Sequence, residues 1–415
     1  MRTPPWLTRR GSGLAAVPRD VKVLAVIAFC VAVGFGVLIP VLPVFAKSFQ
    51  VSNFWVGAVV SSFALMRLVT APFCGRISGV LGLRTTLASG IFIVAASTAA
   101  AGFAPNFWWL LITRGAGGIG SAMFSVSAMT LVLASVPGNQ RGRATSTFQS
   151  GFVIGFMAGP AIGGLVAAIS TTAPFFFYAI TLVVAGAVGL LMLRDPDADV
   201  DDSSTEPARP LREVLGDIRF RSAALANFST GWNSMGVRTT LVPILVVESL
   251  HQPPSWTGIA FAVGAVVQTL ALTPVGRAVD SIGRKPVIIG SSLLCGATFL
   301  AVPYAPNVWV LMALMGVYGI GTAGMASAPA AAVGDAAGAR SGTPVALFSM
   351  VADLGAITGP LAAGIIADHF SLAYAFIGGA GIMALTALLA TRMPAWHPVE
   401  DLGAAAVSDP EHKEN

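Results

Sequence analysis

Residues 276–285 read Gly276-Arg277-Ala278-Val279-Asp280-Ser281-Ile282-Gly283-Arg284-Lys285, a polar, basic stretch set between two long apolar ones. Gly276 and Gly283 permit a tight turn between helices, Asp280 can accept from a helix N-terminus, and Arg284 and Lys285 anchor where lipid meets water. An earlier stretch, Gly75-Arg76-Ile77-Ser78-Gly79-Val80-Leu81-Gly82-Leu83-Arg84, repeats it in degraded form at an offset of 201 residues. The register extends both ways. Trp55 and Gly57 recur as Trp256 and Gly258; Trp108, Gly118 and Gly120 recur as Trp309, Gly319 and Gly321. Gly155 and Gly159-Pro160 recur, at an offset of 200, as Gly355 and Gly359-Pro360. Two parallel membrane halves facing each other form a transporter design, because a substrate site between them can open to either side.

Hydrophobic residues make up 55% of the 415, charged residues 10%, and the mean hydropathy is +0.78. A soluble domain carries about 25% charged residues, so this chain is built for lipid. Its net charge of +5 would suit nucleic acid, but the cations sit at the ends of apolar runs, and no nucleic-acid partner is expected. Cys30, Cys74 and Cys295 lie inside apolar stretches and read as packing residues. His251, His369, His397 and His412 show no metal spacing. There is no Walker phosphate loop and no insertion large enough for a catalytic domain. The reading is therefore not an enzyme, not ATP-driven, and without cofactor or metal.

Apolar stretches able to cross a bilayer core of ~30 Å lie at 22–46, 53–75, 83–103, 107–134, 144–168 and 172–193, then at 222–249, 255–276, 286–304, 307–333, 343–366 and 371–392. Lipid leaves no partner for loose backbone groups, so each should be helical. The expected architecture is an all-α membrane protein of 12 transmembrane helices in two pseudo-symmetric six-helix bundles, 22–193 and 222–392. A tail at 1–21, a linker at 194–221 and a tail at 393–415 complete the chain. The linker runs from acidic to basic, with a short amphipathic helix expected at 210–219. Basic residues gather on one side: Arg9, Arg10 and Arg19 before the first span, Arg76 and Arg84 after the second, Arg141 and Arg143 after the fourth, and Arg277, Arg284 and Lys285 after the eighth. Lys47 stands on the other side. This asymmetry places both termini in the cytoplasm. The short polar tails point to a prokaryotic plasma membrane and the chain is expected to act as a monomer.

The loop at 276–285 resembles the cytoplasmic-loop signature of the major facilitator superfamily. There it helps latch the cytoplasmic side shut; the first-half copy departs from the signature, with Gly79 where Asp280 stands. Gly34-x5-Pro40-Val41-Leu42-Pro43 resembles a first-span motif of the twelve-span drug:proton antiporters. Its prolines remove backbone donors and kink the helix where it would line a cavity. Gly155, Gly159-Pro160 and Gly163 resemble that family's antiporter motif, with Ser146 where it has a further glycine. They form one smooth stripe against which a neighbouring helix can approach and slide, and Gly355, Gly359-Pro360 and Gly364 repeat it. Arg114-Gly115-Ala116-Gly117-Gly118 resembles the family's Arg-x-x-Gln-Gly, with Gly117 replacing glutamine; the resemblance implies a role for Arg114 in proton transfer. The competing reading is an arginine snorkelling to the outer face. The resemblance spans nearly the whole chain and implies a major facilitator fold and proton-coupled export of small organic molecules.

Within the spans, Asp353 is the one acidic residue near a centre, while Arg67, Arg114 and Arg238 are well inside. Their repeat counterparts are Val153, Gln268, Met315 and Leu38, so each charge departs from the shared scaffold. Such charges cost roughly 2.5–3.5 kcal/mol on insertion scales unless paired or hydrated. Asp353 is the candidate proton-coupling carboxylate, with Arg67 or Arg238 as partner. Burial disfavours its charged form and a nearby arginine favours it, so motion that changes their distance would move a proton. A static salt bridge and direct substrate contact are the alternatives. Phe63, Gln149, Trp232, Asn233, Gln268 and Tyr318 are candidates to line the substrate cavity, and packing roles compete for each. More arginine than aspartate favours anionic or neutral amphipathic substrates over cations. Uptake or facilitated passage of an organic anion, and lipid export, remain alternatives to efflux.

Overall fold

The computed structural model describes residues 18–136, 140–194, 211–337 and 342–394. All regular structure among them is helical. The first half comprises α1 (Arg19–Leu38), α2 (Leu42–Lys47), α3 (Asn53–Leu81), α4 (Leu83–Gly102), α5 (Phe107–Ala134), α6 (Arg141–Ala167) and α7 (Ala173–Met192). The second comprises α8 (Leu211–Gly216), α9 (Ile218–Thr230), α10 (Arg238–Ile244), α11 (Ser255–Ser281), α12 (Arg284–Ala301), α13 (Val308–Ala337), α14 (Gly342–His369) and α15 (Leu372–Ala390). Eleven of the helical stretches are long and apolar enough to cross a membrane. The seventh expected span is an unbroken helical run in which π turns at Gly231–Val237 and Leu245–Ser249 flank α10, so the architecture is consistent with twelve. The outermost tails and most of the linker lie outside the described residues. The seventh span starts at Ile218, inside the expected linker, after α8, with Asp217 Oδ1 accepting from Arg219 N at 2.7 Å.

Local chemistry sets the turns. Asn106 caps α5 by accepting from Trp109 N at 2.9 Å, and Asn307 accepts likewise from Val310 N at 3.0 Å; each asparagine ends an Ala-Pro-Asn break between two apolar stretches, Ala104-Pro105-Asn106 and Ala305-Pro306-Asn307. Gly82 and Gly283 start α4 and α12 with φ of 80° and 95°, a region that costs other residues strain. Arg84 donates to the Leu190 carbonyl and Lys285 to that of Met393 at 2.8 Å. Each basic turn is thereby tied to the end of its own half's last helix. The expected proline kink in the first span is a break: α1 stops at Leu38, residues 39–41 form a turn, and α2 begins at Leu42.

Aromatic residues mark the opposite end. Trp55, Trp108, Trp256 and Trp309 lie at the first turns of α3, α5, α11 and α13, meeting edge to face as Trp55–Trp108 (5.2 Å) and Trp256–Trp309 (5.4 Å). This belt and the basic turns mark the two interfaces of a membrane-embedded body.

The glycine stripes pack within halves. A Cβ on Gly159 would stand 2.7 Å from Gly36 Cα and from Val33 O, and one on Gly163 2.5 Å from Val37 O; both contacts are on α1. Gly155 likewise faces Ala32 and Phe29, while Gly355 and Gly359 face Trp232 in the seventh span. In this structure each stripe is a close seam within its own half. Contact between halves falls to the neighbouring residues: Pro160 and Gly164 meet Gly258 and Ser255, and Pro360 and Gly364 meet Gly57 and Asn53.

Candidate functional site

Residues of the first half, joined by three from the second, line a half-open cavity of about 250 Å³. Helix α1 supplies Phe35 and Leu38, and the broken turn supplies Ile39. Phe63 and Arg67 come from α3; Arg114, Ser121 and Ser125 come from one face of α5. Phe152, Phe156 and Tyr178 close the wall, and Met235, Thr239 and Ala356 reach in from the other half. Phe35 is the hub, with ring centroids 5.8 Å from Phe63, 5.9 Å from Phe156 and 6.4 Å from Tyr178.

Three cations were expected in this space. Arg114 is 4% exposed and lies with its Cζ 4.8 Å above the Phe63 ring. Its Nε is buried without a hydrogen-bond partner, and it forms no ion pair among the described residues. It does not snorkel outward. Gly118 lets α5 rest on the Phe63 backbone, since a Cβ there would also meet Met66 Cβ at 2.9 Å. Arg67 Nη2 donates to Asp353 Oδ1, joining α3 to α14 across the halves. Arg238 goes elsewhere: its Nε donates to Ser234 O at 3.5 Å, and its Cζ stands 4.9 Å from the Phe261 ring and 5.6 Å from that of Tyr318. Asp353 thus has Arg67 as its partner.

Of the expected cavity residues, Phe63 is a wall. Tyr318 is buried, sharing a hydrogen bond with Ser234 at 2.8 Å, and Asn233 donates to Gly379 O at 3.2 Å. Trp232 packs on Phe228 at 5.8 Å with its Nε1 buried and unpartnered. Gln149 is exposed and Gln268 half-buried, and neither lines the cavity.

The halves meet along the aromatic side. Asp368, at the end of α14, accepts from Asn53 N (2.8 Å) and Phe54 N (2.9 Å), the free N–H groups that begin α3. Gly364, one turn earlier, brings α14 against that same first turn. Lys47 and Glu248 pair at 3.8 Å, and Ser61 donates to Ile357 O at 2.7 Å. Arg67–Asp353 is the deepest of these ties, about 21 Å along α3 from Asn53 at 1.5 Å per residue. Towards the basic end, a Cβ on Gly75, Gly79 or Gly276 would meet nothing within 4 Å. Asp280 is exposed, without a partner among the described residues, while Arg284 Nε pairs with Asp335 Oδ2 at 2.9 Å. The body is closed on the aromatic side.

The Major Facilitator Superfamily model matches residues 24–236 and 223–406, one match per half. Quinolone resistance protein NorA of Staphylococcus aureus is 24% identical over 343 residues, covering 82% of this chain and 88% of that one. Multidrug resistance protein MdtG of Proteus mirabilis is 26% identical over 370 residues, covering 86% and 90%. Among solved structures, a bacterial homolog of the human lysosomal transporter Spinster, inward-facing and occupied, superposes with a TM-score of 0.74 at 15% identity, covering 96% of this chain and all of that one. The nucleoside transporter NupG gives a TM-score of 0.71 at 13% identity, covering 90% and 98%. With the same fold throughout and a family match over both halves, this chain belongs to the Major Facilitator Superfamily of membrane transporters.

Proposed function

We propose that the chain is a proton-driven exporter of small amphipathic organic molecules, working by alternating access in the plasma membrane with its basic end and both termini in the cytoplasm. The observation that carries this reading is the Arg67–Asp353 pair, placed mid-span between halves where the repeat has Gln268 and Val153. The aromatic side is shut and Arg67 is paired with Asp353; in the proposed cycle this is the cytoplasm-facing state. Rocking the halves to open the aromatic side draws α3 away from α14. Asp353 then loses its counter-charge in a low-dielectric setting and takes a proton from outside. On return, Arg67 pairs with Asp353 again and the proton leaves inward. Substrate moves outward in the same cycle. The names of the relatives NorA and MdtG support drug-like substrates.

Accumulation of a quinolone in efflux-deficient cells tests this reading. Expression should lower accumulation, and a protonophore should restore it. Higher accumulation on expression would support the alternative, uptake of an organic anion, which the unpaired Arg114 favours.

A further inference from the structure

Arg114 is 4% exposed, faces an aromatic cavity, keeps its Nε unpartnered and has no carboxylate in ion-pair range among the described residues. Its repeat counterpart is Met315, so the shared scaffold does not need a cation there. Arg67, the other cation of the cavity, is committed to Asp353. The chamber therefore holds one uncompensated positive charge. A buried guanidinium without a counter-ion is costly, and a ligand's anionic group would relieve that cost.

We propose that Arg114 binds the carboxylate of small aromatic organic acids; this rests on the cavity being the transporter's substrate chamber. The guanidinium fork matches a carboxylate with two parallel hydrogen bonds. Ser121 and Ser125, seven and eleven residues further along α5, share its face and line the same space, offering hydroxyl donors to the acid or to a ring substituent. Phe35, Phe63, Phe156 and Tyr178 surround the volume a ring would fill. At about 250 Å³ the cavity has room for a one- or two-ring acid.

The test is equilibrium binding of radiolabelled naphthoate to the purified full chain in detergent, with neutral naphthamide as competitor. Naphthoate should bind at least about tenfold tighter than naphthamide, the least that a charge-assisted pair in a dry site should give. Arg114→Gln should abolish that preference while naphthamide still binds, and Arg114→Lys should keep part of it. Equal affinity of acid and amide, no measurable naphthoate binding, or a preference that survives Arg114→Gln would each overturn the proposal. Should Arg114→Gln fail to fold, the wild-type preference decides alone. Micelles doped with phosphatidylglycerol form a second arm: undiminished naphthoate binding supports a soluble acid, and its loss would assign the site to a lipid headgroup and overturn the proposal. No gradient is applied, so a chain that binds naphthoate but does not export anything would sink the efflux reading and leave this one standing.

Discussion

Asp368 holds the aromatic side shut, and replacing it should open that side. Its two oxygens accept from Asn53 N and Phe54 N at 2.8 and 2.9 Å, at the positive end of a 29-residue helix. Hydrogen bonds to a charged group are worth about 1.5–3 kcal/mol each where water is excluded, and a carboxylate at a helix N-terminus adds about 0.3–1 kcal/mol. Asp368 is exposed, so water competes for the same N–H groups and the net loss should be about 1–2 kcal/mol. The substitution Asp368→Asn keeps the shape and one acceptor but removes the charge. It should shift the balance between closed and open aromatic sides about 5–30-fold towards open. Spin labels at Phe103 and Tyr304 suit the measurement, in a background lacking Cys30, Cys74 and Cys295. These positions are repeat counterparts, one per half, and both are exposed. Pulsed dipolar spectroscopy should show a longer-distance population growing in Asp368→Asn and receding in Asp368→Glu. A distance distribution identical to that of the parent would refute the reasoning.

The other expected outcomes concern the seams and turns. Gly159→Val should lower the melting midpoint in detergent, because its Cβ meets backbone of Gly36 and Val33 at 2.7 Å and overpacking costs about 1–3 kcal/mol. Gly75→Val, with open space at the same atom, should leave the midpoint nearly unchanged; equal effects from the two would show that the seam does not set stability. Gly283→Ala should destabilise by about 1–2 kcal/mol because φ there is 95°, and a melting curve that does not move would refute this.

Much of the fold was legible because lipid leaves the chain few choices. The Ala-Pro-Asn breaks announced two capped turns, and Gly283 announced the turn into α12, whereas Gly276, read as its partner in that turn, lies inside α11. Asp353 and Arg67 stood out because a charge in mid-span has to find a partner. The faces were harder to read. A membrane helix is apolar towards lipid and towards protein alike, so its sequence period does not say which way Gln149, Gln268 or Trp232 points. The π turns of the seventh span rotate Asn233 and Ser234 into packing against α15 and α13, and no residue pattern marked that rotation. Phe35, Phe152, Phe156 and Tyr178 line the cavity but look like ordinary core residues; the four-residue spacing of Phe152 and Phe156 was the available signal. Asp368 and Asp335 were visible only as charges at span ends. Their partners are 315 and 51 residues away in sequence, beyond any local pattern.

The most direct test of proton coupling through Asp353 uses proteoliposomes with the basic end outward and an acidic interior, following uptake of labelled quinolone. Wild type should accumulate label above equilibrium in proportion to the pH difference. Asp353→Asn should still exchange label down its own gradient but ignore the pH difference. Accumulation driven by the pH difference in Asp353→Asn, or a wild type indifferent to it, would contradict the account.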